Sequence, residues 1–250
     1  MNQNKYYEKK FFDSLAVSGK DRTLNSRDLE HLEFIINKIK LTNINFSGNI
    51  LECGCGTGEY GKNILKNFGG ITITGVDISD KSVSMANDGT KNYSAIVGDI
   101  EYRGLFMANS FNSILCLFIL HHFPDLLNVF ENLHSWLKKD GTMIILEPNG
   151  DDLINKASKV IRKGVELIFG QDYIVNKGLG TPNETDHPLK EYLHQTDKLG
   201  MDVIYKGYAP FHLKNKDIKD IRIFFKKILA FILPESKYAG KGNLMLILKK

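Results

Sequence analysis

An α/β fold built on a parallel sheet covered on both faces is what this sequence predicts, and three observations carry the prediction. Short β-branched or aliphatic runs alternate with helix-compatible stretches between residues 49 and 147. Several of those runs end in an acidic residue or a glycine. The first of them leads into "CGCGTGEYG" (53–61), a loop in which nearly every second residue is glycine. Strand and helix alternating at this spacing means βαβ units, whose crossovers place helices on both faces of the sheet.

The elements follow in order. The stretch "YYEKKFFDSLA" (6–16) reads as a helix carrying aromatics. The strand "NILEC" (49–53) precedes the glycine loop and a helix over 58–68. Next come the strand "ITITGVD" (71–77), a helix over 79–88, and the strand "YSAIVGD" (93–99). The strand "FNSILCLFIL" (111–120), a helix over 125–139 and the strand "GTMIILE" (141–147) complete the alternation. After Glu147 the rhythm breaks: residues 148–187 hold one helical pattern, "DDLINKASKVIRKGVELIFG", and then the polar, Gly/Pro-punctuated "NKGLGTPNETDHP". A helix over 188–199, a strand over 201–208, a long basic and apolar helix around 214–233 and a last strand, "NLMLILKK", finish the chain. No internal repeat is present.

Composition excludes several functions. With 250 residues, 42% hydrophobic and 25% charged, the chain has the make-up of an ordinary globular protein with one sizeable core. The net charge of +4 is mild and the lysines are scattered, so charge implies no nucleic-acid partner. The N-terminus, "MNQNKYYEKK", is polar, and no apolar run is long enough to span a bilayer; the expectation is a cytoplasmic protein. Three cysteines, Cys53, Cys55 and Cys116, are an odd number without a secretion signal, which predicts reduced thiols. Structural zinc usually takes four ligands at wider spacings, so these read as small buried residues and no metal is expected.

The glycine loop lies at the carboxyl edge of the sheet, where open α/β sheets bind ligands. Glycines there let the backbone approach a ligand closely, and the helix N-terminus favours a negative group. Gly56, Gly58 and Gly61 match the G-x-G-x-x-G spacing of dinucleotide sites, a weak signal alone. The carboxylates decide. Glu52, at the end of the first strand, would repel a pyrophosphate but suit an ammonium group. Asp77 closes the second strand, where a carboxylate can accept from both hydroxyls of a ribose. Asp99 closes the third, where it can meet an adenine amino group while Ile100 packs on the ring. A ligand with an ammonium, a carboxylate, a ribose and an adenine but no phosphates is S-adenosylmethionine.

At this point the sequence resembles the class I S-adenosylmethionine-dependent methyltransferases, of the small-molecule type. "LECGCGTGEYG" resembles the family's glycine-rich first motif, "GVDIS" its acidic second strand, "GDI" its third, "ILCLFILHHFPD" its fourth and "LKKDGTMIILEPN" its fifth. The match runs in order from about Asn49 to Asn149; Asn112 departs from the aspartate many members carry there. The resemblance implies a Rossmann-like, doubly wound sheet of seven strands, mostly parallel with an antiparallel last strand, and helical cap elements. It implies S-adenosylmethionine as cofactor, with S-adenosylhomocysteine as product, held by Glu52, Gly54, Gly56, Gly58, Asp77, Ile78, Asp99, Ile100 and Leu117. It divides the chain into an N-terminal helical lid region (1–40), a cofactor-binding core (41–149), a cap insertion (150–187) and a C-terminal part of the core sheet with the basic-apolar helix (188–250).

Methyl transfer asks the protein to align a nucleophile and exclude water; a hydroxyl nucleophile also benefits from a general base. His121 follows the fourth strand and Glu147 ends the fifth at the same edge. In related small-molecule O-methyltransferases a histidine and an acidic residue at these places are candidate catalytic groups, which the resemblance implies here. His122 is expected to be structural, with "HHFPD" shaping the turn and Asp125 near the N-terminus of the next helix. The expected function is methyl transfer to a small-molecule acceptor, at oxygen. Two other readings stay open: a membrane-associated acceptor such as a quinone or lipid-linked glycan, with the 214–233 helix at the bilayer surface, and a module that binds the cofactor without turnover. The oligomeric state is not legible.

Overall fold

The computed structural model describes residues 3–19, 23–176, 181, 183–209 and 242–250. Its centre is a seven-stranded sheet in the order β3-β2-β1-β4-β5-β7-β6. The strands are β1 (Gly48–Cys53), β2 (Ile71–Asp77), β3 (Tyr93–Val97), β4 (Phe111–Leu117), β5 (Leu137–Glu147), β6 (Asp202–Tyr208) and β7 (Leu244–Lys249). Pairings from β3 across to β5 are parallel. β7 runs antiparallel between β5 and β6. This is the doubly wound, Rossmann-like sheet with an antiparallel last strand expected from the sequence. The strand order reverses between β1 and β4, so the connections leave in opposite directions and a crevice opens outside their carboxyl ends.

Eight helices are described: α1 (Gln3–Ser18), α2 (Ser26–Leu41), α3 (Glu59–Leu65), α4 (Asp80–Ala86), α5 (Leu126–Trp136), α6 (Leu153–Phe169), α7 (Gln171–Asn176) and α8 (Leu189–Lys198). The sheet divides the core into two clusters. On one face Ile114, Cys116, Met143, Ile145, Leu244 and Leu246 pack with Val129, Phe130, Leu133 and Trp136 of α5 and Tyr192 of α8. On the other, Leu115, Leu117, Ile144, Leu146, Met245 and Ile247 pack with Ile35, Ile36 and Ile39 of α2, Ile64 of α3 and Val83 of α4. Neighbours along a strand thus serve opposite faces, which is why these strands read as continuous apolar runs. Each such side chain contributes about 1.5 to 3 kcal/mol on burial.

Polar residues set the helix starts. Asn25 and Asp28 form a capping box at α2, and Asp125 accepts the N–H of Leu127 at the start of α5. Where boundaries differ from expectation, side chains explain it. The fourth strand ends at Leu117, short of residue 120, because Phe118 turns back with φ +59 and Glu147 captures the amides of Ile119 and Leu120. α5 ends at Trp136 because buried Leu137 is already extended and pairs with Phe111. Asn112 sits at the opposite end of β4, accepting from the N–H of Asn49 and from Lys138. Cys53, Cys55 and Cys116 are buried free thiols. The helix expected around 214–233 lies outside the described residues. Among the described residues, no helix is long and apolar enough to cross a membrane.

Candidate cofactor and acceptor site

β1 delivers the chain into the crevice through a turn that needs glycine. Gly54 has φ +63, and a Cβ there would stand 2.5 Å from Cδ1 of Ile119; Gly58 has φ +82, and a Cβ there would stand 2.8 Å from the Tyr93 hydroxyl. The turn is pinned from the next strand. Asp77 Oδ2 accepts the N–H of Gly56 at 2.9 Å and Oδ1 accepts the N–H of Ser79 at 2.9 Å.

Glu52 lies beneath this turn. Its carboxylate accepts the Gly61 N–H at 2.9 Å and the Tyr93 hydroxyl at 2.7 Å. Burial pushes its carboxyl up to about 7, against the opposing pull of those two hydrogen bonds, and the charge of Asp77 adds to the rise. Burial first, then the Glu52 charge, drives the Tyr93 phenol far above its ordinary value, so it stays a donor to Glu52.

A cavity of 570 Å³ occupies the carboxyl edge, within the roughly 300 to 1,000 Å³ of small-molecule sites. Of the residues singled out in the sequence, Gly54, Gly56, Asp77, Ile78, Asp99, Ile100 and Leu117 line it. Glu52 and Gly58 do not; they stand behind the turn. The wall suits S-adenosylmethionine: a carboxylate at the end of β2 and another in the loop after β3 to accept from hydroxyl and amino groups, apolar side chains at Ile78 and Ile100 for a ring, and bare glycine backbone between.

The other side of the cavity comes from α1, through Lys5, Glu8 and Phe12. Lys5 Nζ stands 3.0 Å from Asp99, 2.7 Å from Glu101 and 4.7 Å from the centre of the Phe123 ring. Burial disfavours its charge, but the hydrogen bonds and charges of Glu101 and Asp99 prevail and hold it above its ordinary value. Further along α1, Lys9 pairs with Asp80, and Asp13 accepts the hydroxyl of Ser79 at 2.5 Å. Asn4 and Tyr7 reach the segment after β5, donating to Asn183 at 2.9 Å and Asp172 at 3.3 Å.

The structure brings His121 and Glu147 together but not to the cavity wall. Glu147 is fully buried, and its carboxylate is taken up by the amides of Ile119 (2.7 Å) and Leu120 (2.6 Å) and by His121 Nδ1 (2.7 Å). The expectation that this pair faces the acceptor therefore departs from the geometry: the carboxylate is spent on closing the turn after β4. Burial opposes charge on His121, but Glu147, with Glu184 and Asp186, outweighs it and raises its pKa. His122, expected to be structural, does line the cavity. Its Nδ1 lies 3.1 Å from Thr181 Oγ1 and 3.5 Å from Glu8 Oε1, and Phe12 meets its ring edge-on at 5.3 Å. Burial, then the neighbouring His121, lowers its pKa. Lys5, Glu8 and Phe12 are spaced three and then four apart, one face of a helix. That periodicity was the available signal, but nothing in the sequence says that this face meets the strand ends.

A family model described as "Methyltransferase domain" matches residues 44–198. The chain belongs to that methyltransferase family. By family and fold this methyltransferase is a class I, S-adenosylmethionine-dependent member. It is 36% identical over 109 residues to a polyketide synthase-nonribosomal peptide synthetase of Aspergillus clavatus, covering 40% of the chain and 3% of that protein. It is 22% identical over 173 residues to a ubiquinone biosynthesis O-methyltransferase of Histophilus somni, covering 65% of the chain and 67% of that protein. With a demethylmenaquinone methyltransferase of Thermotoga maritima it shares 31% over 98 residues, 39% of the chain and 42% of that protein. The methyltransferase therefore spans less than half of two of these three relatives. A crystal structure of a SAM-dependent methyltransferase from Archaeoglobus fulgidus superposes with a TM-score of 0.58 at 18% identity, over 94% of this chain and 98% of that one, a likeness of fold.

Proposed function

We propose that this protein transfers the methyl group of S-adenosylmethionine to an oxygen of a small-molecule acceptor. The observation that carries the reading is one continuous cavity wall running from Asp77 and Asp99 to His122 and α1. When bound, S-adenosylmethionine supplies a methyl group already activated on a sulfonium. Asp77 accepts from the ribose hydroxyls and Asp99 from the adenine amino group; Ile78, Ile100 and Leu117 provide the apolar wall, and Gly54 and Gly56 give room. Glu52 and Gly58 act from behind, holding the turn and the start of α3. His121 and Glu147 are positioning residues that fix the turn carrying His122. Within the N-terminal region, α1 forms the lid, whereas α2 packs Ile35, Ile36 and Ile39 into the core; α6 and α7 form the cap over the acceptor.

The test is calorimetry with S-adenosylhomocysteine, followed by product detection with S-adenosylmethionine and a panel of hydroxylated acceptors. Absence of binding removes the whole reading; binding without turnover on any acceptor favours a cofactor-holding module. A second reading, a membrane-associated quinone precursor as acceptor, is supported by the two quinone-pathway relatives. Co-sedimentation with liposomes separates it from a freely diffusing acceptor.

A further inference from the structure

Glu8 is a carboxylate in an unusual place. It sits on α1, only 4% exposed, on the cavity wall, and its Oε1 has no hydrogen-bond partner among the described residues. An acceptor atom buried without a donor is costly, more so on a charged group. His122 Nδ1 stands 3.5 Å from Glu8 Oε1, beyond a good hydrogen bond, and that nitrogen is already engaged by Thr181 Oγ1 at 3.1 Å. Both side chains belong to the same cavity, and the aromatic rings of Phe12, Phe118 and Phe123 line it too.

We propose that Glu8 and His122 form the polar end of the acceptor pocket and receive the hydroxyl of an uncharged phenol. This deepens the methyltransferase reading and rests on it. A hydroxyl there gives Glu8 the donor it lacks, while aromatic walls accommodate the ring. An acceptor with a carboxylate or phosphate at its reacting end would face Glu8 across a low-dielectric space and is rejected. An apolar acceptor leaves Oε1 unpaired. The groups whose charge bears on His122 are Glu8 from α1, Glu184 from the segment after α7 and His121 in the same turn. Burial and His121 hold the imidazole toward its neutral form, the form able to take a proton. The single hydroxyl proton that first points to Glu8 passes to the imidazole, its bonding pair stays on oxygen, and the neutral pair becomes a phenolate–imidazolium pair whose N–H replaces the hydroxyl as the donor toward Glu8. Glu8, close behind, stabilises that imidazolium.

Two measurements on the full chain saturated with S-adenosylhomocysteine test this. The first is calorimetry with catechol and with benzoate, on wild type, Glu8→Gln and Glu8→Ala. Catechol should bind wild type in preference to benzoate, lose about tenfold or more in both variants, and benzoate should gain as the repelling charge is removed. The second is the side-chain NMR titration of His122, whose apparent pKa should fall in Glu8→Gln. Equal catechol and benzoate binding in wild type and variants, or an unmoved His122 titration, overturns the proposal. So does failure of catechol to bind the wild-type complex. Failure to bind S-adenosylhomocysteine at all is a distinct result, striking the methyltransferase reading first.

Discussion

Replacing Glu147 by alanine tests the reassignment of the His121–Glu147 pair. The carboxylate is fully buried and serves three donors: the amides of Ile119 and Leu120 at 2.7 and 2.6 Å and His121 Nδ1 at 2.7 Å. Truncation leaves these donors without their acceptor, and an unsatisfied buried donor costs about 1 to 3 kcal/mol. Only part of this adds, because the turn can relax toward the cavity. Breaking a buried charge pair costs about 3 to 5 kcal/mol, which is the expected loss of unfolding free energy. Urea denaturation of wild type, Glu147→Ala and Glu147→Gln measures it. Glu147→Gln keeps a carbonyl oxygen for the amides but loses the charge, so it should fall between the two. The pH dependence follows from His121, whose folded pKa is raised by Glu147. A raised histidine pKa adds stability that is fully present below its unfolded value near 6.5 and is lost as pH rises through the folded value. The Glu147→Gln penalty should therefore be larger at pH 5.5 than at pH 9. A loss under about 1 kcal/mol in Glu147→Ala, or a penalty independent of pH, would refute the positioning role.

Three further predictions address the cavity. Asp77→Ala should weaken S-adenosylhomocysteine binding by about 1 to 3 kcal/mol, roughly 5- to 150-fold, by calorimetry; unchanged affinity would remove Asp77 from the cofactor site. Gly54→Ala forces φ +63 on a residue with a Cβ and drives it against Ile119; it should lower the melting temperature and abolish cofactor binding, and a variant that binds like wild type contradicts the tight turn. Lys5→Ala removes the pairs to Asp99 and Glu101; hydrogen exchange of α1 amides should accelerate without ligand and be slowed again when S-adenosylhomocysteine binds. Equal exchange in all states would make α1 a fixed element and not a lid.

The sheet was legible because its signals are local. β2 is read to the residue, and β1 and β4 at their starts to within one, since apolar runs and their bounding polar residues lie side by side in the chain. Asp77 closes β2 as the sequence reads it, whereas β3 ends at Val97, two residues short of Asp99, which sits in the loop that follows. The ends of β4 and α5 were not legible, because Phe118 and Leu137 are apolar residues that continue a pattern while the backbone turns. What stops β4 is Glu147, a partner 27 residues from Leu120. Such a long-range capture leaves no trace in periodicity.

The adjacent histidines show the same limit at the level of chemistry. The sequence points to His121, paired with Glu147 at the end of the fifth strand, as the base and to His122 as structural. In the fold, Glu147 does select His121, but by turning its own charge inward to the β4 turn, which raises the pKa of His121 and keeps the pair off the cavity. The positive character of His121 then acts on His122, adding to burial in pushing that ring toward neutrality. One carboxylate thus raises the pKa of His121 and, through it, adds to the lowering at His122. The pair holds the turn, and in the proposal above it is His122, facing Glu8 on α1 with its pKa lowered, that accepts the proton. Since Glu8 arrives on α1, the polar end of the pocket is complete only while α1 is seated, and loss of the α1 contacts should cost acceptor recognition as well as closure.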